Sequence, residues 1–303
     1  MLMQRMLAVA LLWVSVAAVG VAGGAPEPAQ APMSAALARG HGLLWKVASP
    51  GVAPSYVFGT IHIGDPRVTH LAPPVRQAFD HAASFSMEIR MDYQAYAQVV
   101  QGMFFHDGRT LVSVIGRDLF DRLAKVLAKR GLGRDTLMNM KPWAVMASAG
   151  LPGFRQGVAL DLQLYDQAMA QHKKVYGLET PAEQLRIFEG LPHDLQVDMI
   201  RNIVEPKADE RHLAQELLRA YLARDLNQLL RLGRQDLAGA SPGFATAFFK
   251  RAVIDRNLRM VRRMQPRLRE GNAFIAVGAL HLPGPKGILH LLELRGYTVT
   301  PVY

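Results

Sequence analysis

The stretch YVFGTIHIGD, residues 56–65, is an apolar run that ends at Gly59 and continues into a turn carrying His62. A short apolar run of this kind predicts a buried β-strand, here ending at Thr60. Glycine at the end of a strand lets the backbone turn sharply, or approach a ligand, without a clash from a side chain. Because ligand crevices in open α/β sheets form at the carboxyl ends of strands, this turn is a candidate binding site.

A second stretch, FIAVGALHLPG at residues 274–284, repeats the arrangement with Gly278 and His281. The Gly-x-x-His spacing selects nothing by itself, because the chain contains four such spacings and roughly one is expected by chance. In the other two, His193 is predicted at the start of a helix and His290 inside one, which favours structural roles. Position at the end of a predicted strand therefore singles out this turn and the first one.

Strand patterns lie near both ends of the chain, and helical patterns fill the middle. Short apolar or β-branched segments predict strands at 43–48, 56–60, 84–89, 174–179, 273–278 and 297–303. Apolar residues at i, i+3 and i+4 predict helices at 73–82, 118–129, 142–149, 158–172, 284–296 and, with breaks near Pro206 and at 241–244, from 181 to about 264. This order predicts an α/β fold, in which a mixed sheet built from N- and C-terminal segments carries a large helical insertion.

The N-terminus has the composition of an export signal. Arg5 is followed by an uncharged apolar run to Ala22 and by small residues up to Ala25, which is typical of a cleaved secretory signal peptide. The alternative is an uncleaved anchor, since the run is at the short edge of the roughly 17–25 residues that span a bilayer. Either reading predicts a periplasmic or secreted protein. The predicted division is a signal peptide over 1–25, a flexible linker over 26–40 and one domain over 41–303.

Composition narrows the kinds of site that the chain can form. The chain has no cysteine, which excludes disulfides, thiolate metal sites and a cysteine nucleophile, so a metal site must use His, Asp and Glu. The formal net charge is +10. The basic residues are spread along helical patterns, and the densest run, residues 250–269, is typical of the solvated face of an amphipathic helix. We therefore expect no nucleic-acid partner, and a membrane contact only through an uncleaved signal.

Glu88 ends the predicted strand at 84–89, so its carboxylate should lie at the same sheet edge as His62 and His281. Two imidazoles and one carboxylate suit a divalent cation with positions left open for water. The structural alternatives are histidines bonded to backbone carbonyls and a glutamate that caps the next helix. Asp65 has two readings as well: it can orient His62 as a hydrogen-bond acceptor, or cap the turn before Pro66.

The ordered motifs resemble those of the TraB/GumN family, which includes the Tiki-type proteases. The resemblance covers the chain from about Leu43 to Val302. It rests on GTIHIGD with the following MEI, on KPWAVMASA, on GVALDLQLYDQAMAQHKKVYGLETPAEQL, on DRNLRM, and on VGALHLPGPKGILHLLELRGYTV. It implies a fold related to the erythromycin esterase and ChaN-like superfamily, and a site of two Gly-x-x-His histidines, a glutamate and an arginine.

Carried over to this sequence, the resemblance matches His62 and His281 to the histidines and Glu88 to the glutamate. Arg256 in DRNLRM is the candidate arginine, either holding a substrate carboxylate or developing oxyanion, or forming a salt bridge with a neighbouring acid. Glu179 ends the strand at 174–179 and can line the same crevice. The Thr-Pro-Ala-Glu sequence that follows it predicts a helix cap.

The resemblance implies an exported metal-dependent hydrolase, peptidase-like, with His62, Glu88 and His281 binding Mn, Co or Zn or moving protons. Gly59 and Gly278 would bring the backbone close to the bound cofactor. The substrate class expected is a peptide or small molecule, and the oligomeric state stays open. Two alternatives remain: a protein that binds haem, metal or a peptide signal without turnover, and an envelope factor whose site is vestigial.

Overall fold

The computed structural model of the protein describes residues 40–149, 157–205, 208–235 and 242–303. The predicted signal peptide, and all of the predicted linker except Gly40, lie outside the described residues, as does the break predicted near Pro206. Within the described chain, no helix is long and apolar enough to cross a membrane.

Six strands form one mixed sheet, which confirms the predicted α/β class. The strands are β1 (Leu44–Ala48), β2 (Ser55–Thr60), β3 (Ser84–Ile89), β4 (Lys174–Glu179), β5 (Ala273–Gly278) and β6 (Thr298–Pro301). They lie in the order β4-β3-β5-β2-β1-β6. The four strands β4, β3, β5 and β2 are parallel, whereas β1 pairs antiparallel with both β2 and β6. The carboxyl ends of the four parallel strands therefore meet at one edge.

The β5 strand is the centre of the fold, because it pairs with β2 on one side and β3 on the other. Every residue of β5 is buried, which explains why its sequence is a continuous apolar run rather than an alternating one. Phe274 in β5 packs edge-on against Phe79, with ring centroids 5.3 Å apart, and Phe79 packs in the same way against Phe85. Edge-to-face contacts of this kind join the sheet to the helix that covers it.

Helices occupy most of the remaining chain. They are α1 (Pro66–Thr69), α2 (Pro73–His81), α3 (Tyr93–Gly102), α4 (Leu111–Ile115), α5 (Arg117–Ala128), α6 (Arg134–Met138), α7 (Pro142–Ala149), α8 (Leu160–Ala170), α9 (Pro181–Leu185), α10 (His193–Val204), α11 (Ala208–Leu222), α12 (Leu226–Gln235), α13 (Pro242–Phe249), α14 (Asp255–Glu270) and α15 (Ile288–Glu293). A π-helical segment, Lys250–Ile254, joins α13 to α14, and a 3-10 turn, Ala279–His281, follows β5.

The helical insertion has a hydrophobic core of its own, separate from the core around the sheet. It comprises helices that follow β3 and β4, and Trp143 in α7 stacks on Phe188 with ring centroids 4.8 Å apart. Because β3 and β4 are parallel, the chain enters this insertion from the carboxyl edge of the sheet. The insertion therefore begins at the edge where the predicted site residues lie.

The helix predicted over 158–172 spans Leu160–Ala170, and the strand predicted over 297–303 spans Thr298–Pro301; the helix predicted over 284–296 is shortened most, to Ile288–Glu293. The helix expected over 284–296 begins only at Ile288, because Gly284 has φ +88° and Gly287 is the extended residue before the first helical turn. Pro283 and Pro285 stand in this connection and favour a turn over a helix. The lengthened turn holds Lys286, whose carbonyl accepts a hydrogen bond at the site described next.

A candidate active site at the carboxyl edge of the sheet

A narrow crevice opens at the carboxyl ends of β2 and β3, beside the first turn of α8. It is lined by His62, Met87, Glu88, Ile89, Ala159, Asp161, Leu162 and Gln184. Two of the predicted site residues, His62 and Glu88, line this crevice directly. His281 lies just behind Glu88, with its Nε2 3.7 Å from Glu88 Oε1.

Three groups donate hydrogen bonds to the Glu88 carboxylate. Its Oε1 accepts the backbone N–H of Gly278 at 2.8 Å, across the gap between β3 and β5. Its Oε2 accepts from Arg256 Nη2 at 2.6 Å and from Gln184 Nε2 at 3.0 Å. Burial alone would raise the pKa of Glu88, but Arg256, His281, His62 and the Gly278 amide outweigh burial and hold that pKa well below its usual range. Glu88 is therefore a fixed negative charge.

Arg256 lies between two carboxylates. Its Nε donates to Glu179 Oε2 at 2.8 Å, its Nη2 donates to Glu88, and its Nη1 lies 3.3 Å from the carbonyl of Ala252 in the π-helical segment. Burial opposes the charged guanidinium, yet Glu88 and Glu179 raise the pKa of Arg256 above its ordinary value. In this structure Arg256 therefore forms the salt bridge that was one of its two predicted roles, and it pairs with two acids.

Glu179 ends β4 and has no exposed side-chain surface. Besides Arg256, it accepts from Arg259 Nη1 at 2.6 Å and from Gln184 Nε2 at 3.1 Å. The Gln184 amide thus donates to both Glu88 and Glu179 and links the two carboxylates. Glu183 forms the predicted capping box with Thr180 at the start of α9.

His281 is buried, and its Nδ1 lies 2.6 Å from Asn257 Oδ1. The Asn257 amide is itself oriented, because its Nδ2 donates to the carbonyl of Lys286 at 2.8 Å. Burial and the charge of Arg256 lower the pKa of His281 to about 3, against a smaller opposing effect of Glu88. His281 is therefore neutral at physiological pH.

His62 has a different partner. Its Nδ1 lies 2.5 Å from Asp161 Oδ2, and the other oxygen of Asp161 accepts from Thr60 Oγ1 at 2.5 Å. Among the described residues Asp161 Oδ2 has no other polar partner, so His62 Nδ1 is the group that this buried oxygen faces. Burial alone would lower the pKa of His62, but Asp161, with a smaller contribution from Glu88, raises it above its ordinary value. The environment of His62 therefore favours the protonated ring, whereas that of His281 favours the neutral ring.

Three glycines set the backbone around these histidines. A Cβ on Gly64 would lie 2.4 Å from backbone atoms of Gly157, just before α8. The turn after His62 can approach the backbone there this closely because neither residue has a side chain. A Cβ on Gly59 would meet Leu282 at 2.7 Å, and the carbonyl of Gly59 accepts from the Tyr221 hydroxyl. These glycines allow close packing of the chain segments that carry the site.

Of the two predicted glycines, Gly278 is the one that lies against the side chains of Glu88 and His281. Its amide holds Glu88, and a Cβ there would lie 3.3 Å from Glu88 Oε1 and 3.5 Å from His281 Cδ2. A side chain at this position would crowd the space between the carboxylate and the imidazole.

Asp65 caps α1, which was one of its two predicted roles. Its Oδ1 accepts the backbone N–H of Arg67, and both of its oxygens bind the Arg67 guanidinium. The acid that pairs with His62 is Asp161 instead. His193 is the first residue of α10 and His290 lies in α15, as predicted.

Four residues of the site were not predicted from the sequence: Asp161, Asn257, Gln184 and Thr60. A signal for two of them exists. Asp161 falls on the buried stripe of α8, and Asn257 falls on the buried stripe of α14 at the spacing of its apolar residues. A polar side chain on an apolar helix stripe needs a buried partner, and here each partner is a histidine.

The donor types fit a divalent cation, and so does the charge. The site has three carboxylates and two guanidiniums: Glu88 and Glu179 pair with the buried Arg256, and Arg259 lies partly exposed beside Glu179. The third carboxylate, Asp161, faces His62. Each histidine has its Nδ1 beside an oxygen acceptor, as histidine ligands of metals usually do. However, no three His, Asp or Glu side chains of the described chain lie at the spacing of a metal cluster.

Comparison with known proteins finds a match to one family. The model of the TraB/PrgY/gumN family matches residues 43–301. An uncharacterized protein of Treponema pallidum is 22% identical over 275 residues, covering 84% of this chain and 80% of that protein. A zebrafish (Danio rerio) protein named Metalloprotease TIKI2 is 24% identical over 313 residues; the match covers 86% of this chain and 60% of the zebrafish protein's length. No solved structure matches.

Proposed function

The chain belongs to the TraB/PrgY/gumN family, and from the chemistry of its crevice we propose that it is an exported, metal-dependent hydrolase that cleaves a peptide or amide-like bond. The observation that carries the proposal is the pair of acceptors at the base of the crevice, His281 Nε2 and Glu88 Oε1, 3.7 Å apart. Such a pair attracts a cation or a polarised water. The relative named a metalloprotease supports the peptide substrate.

Glu88 supplies a carboxylate that keeps its charge throughout, because Arg256 and the Gly278 amide stabilise the ionised form. His281 supplies a neutral imidazole nitrogen. Held this way, the two groups accept hydrogen bonds from a water and orient it toward a bound carbonyl, and His281 Nε2 is the atom that can receive its proton.

His62, Glu88 and His281 are the residues that would hold the metal. A bound Mn²⁺, Co²⁺ or Zn²⁺ would lower the pKa of a coordinated water and polarise the scissile carbonyl. The three carboxylates of the site, Glu88, Glu179 and Asp161, outnumber its two guanidiniums, which lowers the electrostatic cost of bringing a cation into the crevice. His62 Nε2 is the atom of that ring available to a cation or a proton, since Nδ1 faces Asp161.

The test is hydrolysis of peptide and ester libraries by the purified full chain with Mn²⁺, Co²⁺ or Zn²⁺, beside metal content measured by mass spectrometry. We expect Glu88→Gln and His281→Ala to lose about 10²–10⁴-fold of the rate, the range for removing an acid–base group. His106→Ala is the matched control, since His106 is exposed and bonds only the carbonyl of Gln101 among the described contacts. Metal binding without hydrolysis of any substrate would instead favour the binding-protein alternative.

A further inference from the structure

We propose that Asp161 and Asn257 are positioning residues, which fix His62 and His281 in the same tautomer with the proton on Nδ1, so that Nε2 of each ring is left unprotonated and free to act. The inference deepens the proposed function in one respect, because it takes both rings as working groups. The proton positions on the two rings are measurable whether or not the chain hydrolyses any substrate.

The orientation of the Asn257 amide follows from its second bond. Its Nδ2 donates to the carbonyl of Lys286 at 2.8 Å, and a carbonyl oxygen is only an acceptor. A flipped amide would set Oδ1 against that carbonyl and leave two acceptors facing each other in a buried position. Oδ1 therefore faces His281 Nδ1 at 2.6 Å, and the nitrogen must be the donor.

The lengthened turn before α15 has a role in this arrangement. Asn257 is 1% exposed, so no solvent competes for its amide. The carbonyl of Lys286 is brought to Asn257 by the turn between Gly284 and Gly287. A backbone group thus sets the amide, and the amide sets the ring.

At His62 the acceptor is a carboxylate, which cannot donate when ionised. Asp161 is 7% exposed, and its Oδ1 already accepts from Thr60, which leaves Oδ2 facing His62 Nδ1 at 2.5 Å. The close approach of Gly64 to Gly157 brings the His62 turn to the start of α8, where Asp161 lies. Nδ1 therefore carries the proton.

One helix positions both members of the acceptor pair. Arg256 and Asn257 are consecutive in the first turn of α14, and they hold Glu88 and His281 respectively. With Nδ1 of His281 protonated, Nε2 and Glu88 Oε1 are two acceptors 3.7 Å apart. Only a proton donor or a cation between them relieves their repulsion, so the tautomer prepares this gap for a water or a metal.

The test is long-range ¹H–¹⁵N spectroscopy of ¹⁵N-histidine-labelled full chain, at a pH where both rings are neutral and with metal removed by a chelator. The two His signals are assigned with His62→Ala and His281→Ala. We expect both rings to show a protonated Nδ1 and an unprotonated Nε2. Either ring with its proton on Nε2 in the native protein would overturn the assignment for that ring's partner.

The variants test the cause. In Asn257→Ala we expect His281 to shift toward the Nε2–H form, because Nε2–H can then donate to Glu88, while His62 stays unchanged. In Asp161→Ala the shift should appear at His62 and not at His281. Arg262→Ala and Asp166→Ala are the controls, since these residues are exposed on the same two helices. A folded Asn257→Ala with an unchanged His281 tautomer would contradict the proposal, and if a variant does not fold, the native spectrum decides alone.

Discussion

Arg256 Nη2 lies 2.6 Å from Glu88 Oε2, and the arginine side chain is only 2% exposed. This contact ties the carboxylate of the candidate site to a helix that otherwise packs against the sheet. A guanidinium does not deprotonate in proteins, so it keeps Glu88 ionised at every physiological pH. The site therefore depends on a buried charge network, which makes its stability and its chemistry separately measurable.

The buried acid Glu179 should be important for folding. Glu179→Ala leaves Arg256 short of one of its two carboxylates, and breaking a buried pair costs about 3–5 kcal/mol. Glu270→Ala is the control, because it removes an exposed pair with Arg267, worth at most about 1 kcal/mol. Urea unfolding of both variants measures the difference. Equal free energies of unfolding would mean that the network adds no stability.

The contact between Gly64 and Gly157 should not tolerate a methyl group. In Gly64→Ala the new Cβ would lie 2.4 Å from backbone atoms, so the His62 turn must move away from α8. We expect a loss of about 1–3 kcal/mol, typical of overpacking. Gly133→Ala is the matched control, since its Cβ would meet nothing within 4 Å and its φ is −71°. Thermal unfolding compares the two, and a Gly64→Ala protein as stable as the control would contradict the prediction.

Stability should fall between pH 6.5 and pH 4.5 because of His281. Its pKa is about 3 in the folded protein and 6.5 as the unperturbed value, so in this range the unfolded chain binds a proton that the folded chain does not. The slope should approach roughly 1.4 kcal/mol per pH unit. Glu88 acts in the same direction but only below 4.5, its own unperturbed pKa.

Urea unfolding at several pH values checks this slope. His281→Ala should flatten it, whereas His106→Ala should leave it unchanged. A slope that persists in His281→Ala would assign the effect to other groups.

His62 should make the free energy of unfolding decrease as the pH rises above 6.5. Its pKa is raised in the folded protein, so its contribution is fully present below pH 6.5 and is lost as the pH rises through the folded value. Asp161→Asn removes the charge that raises this pKa. We expect the variant to lose the alkaline decline in the free energy of unfolding, and Asp166→Asn to retain it.

Metal binding should release a proton. The raised pKa of His62 favours its charged form, in which Nε2 carries a second proton that a cation must displace. The apparent affinity for Mn²⁺ should therefore weaken as the pH falls. Calorimetric titration in two buffers of different ionisation enthalpy measures the number of protons released. Proton release unchanged in His62→Ala would exclude this ring as a ligand.

Export can be tested directly. We expect expression in a bacterial host to give a mature periplasmic protein whose N-terminus follows Ala22 or Ala25. The intact mass of the purified protein identifies the cleavage point. A full-length mass in the membrane fraction would instead indicate an uncleaved anchor.

Much of the fold could be predicted from local sequence patterns. The apolar runs at β2 and β5 and the acid at the end of β3 are short-range signals, and all three appear where predicted. The predicted helix termini were less accurate where glycine and proline cluster, as in the turn before α15. There, backbone geometry rather than hydrophobic period sets the boundary.

Sequence alone placed His62, Glu88 and His281 at strand ends, because the periodicity of side chains and the turn-forming property of glycine act over a few residues. It could not pair His62 with Asp161, His281 with Asn257, or Arg256 with two glutamates, since those partners lie 24 to 168 residues apart along the chain. Only packing of α8, α9 and α14 against the edge of the sheet brings them into contact. A charge or a tautomer depends on its neighbours in space, so the electrostatics of this site are decided by the tertiary structure.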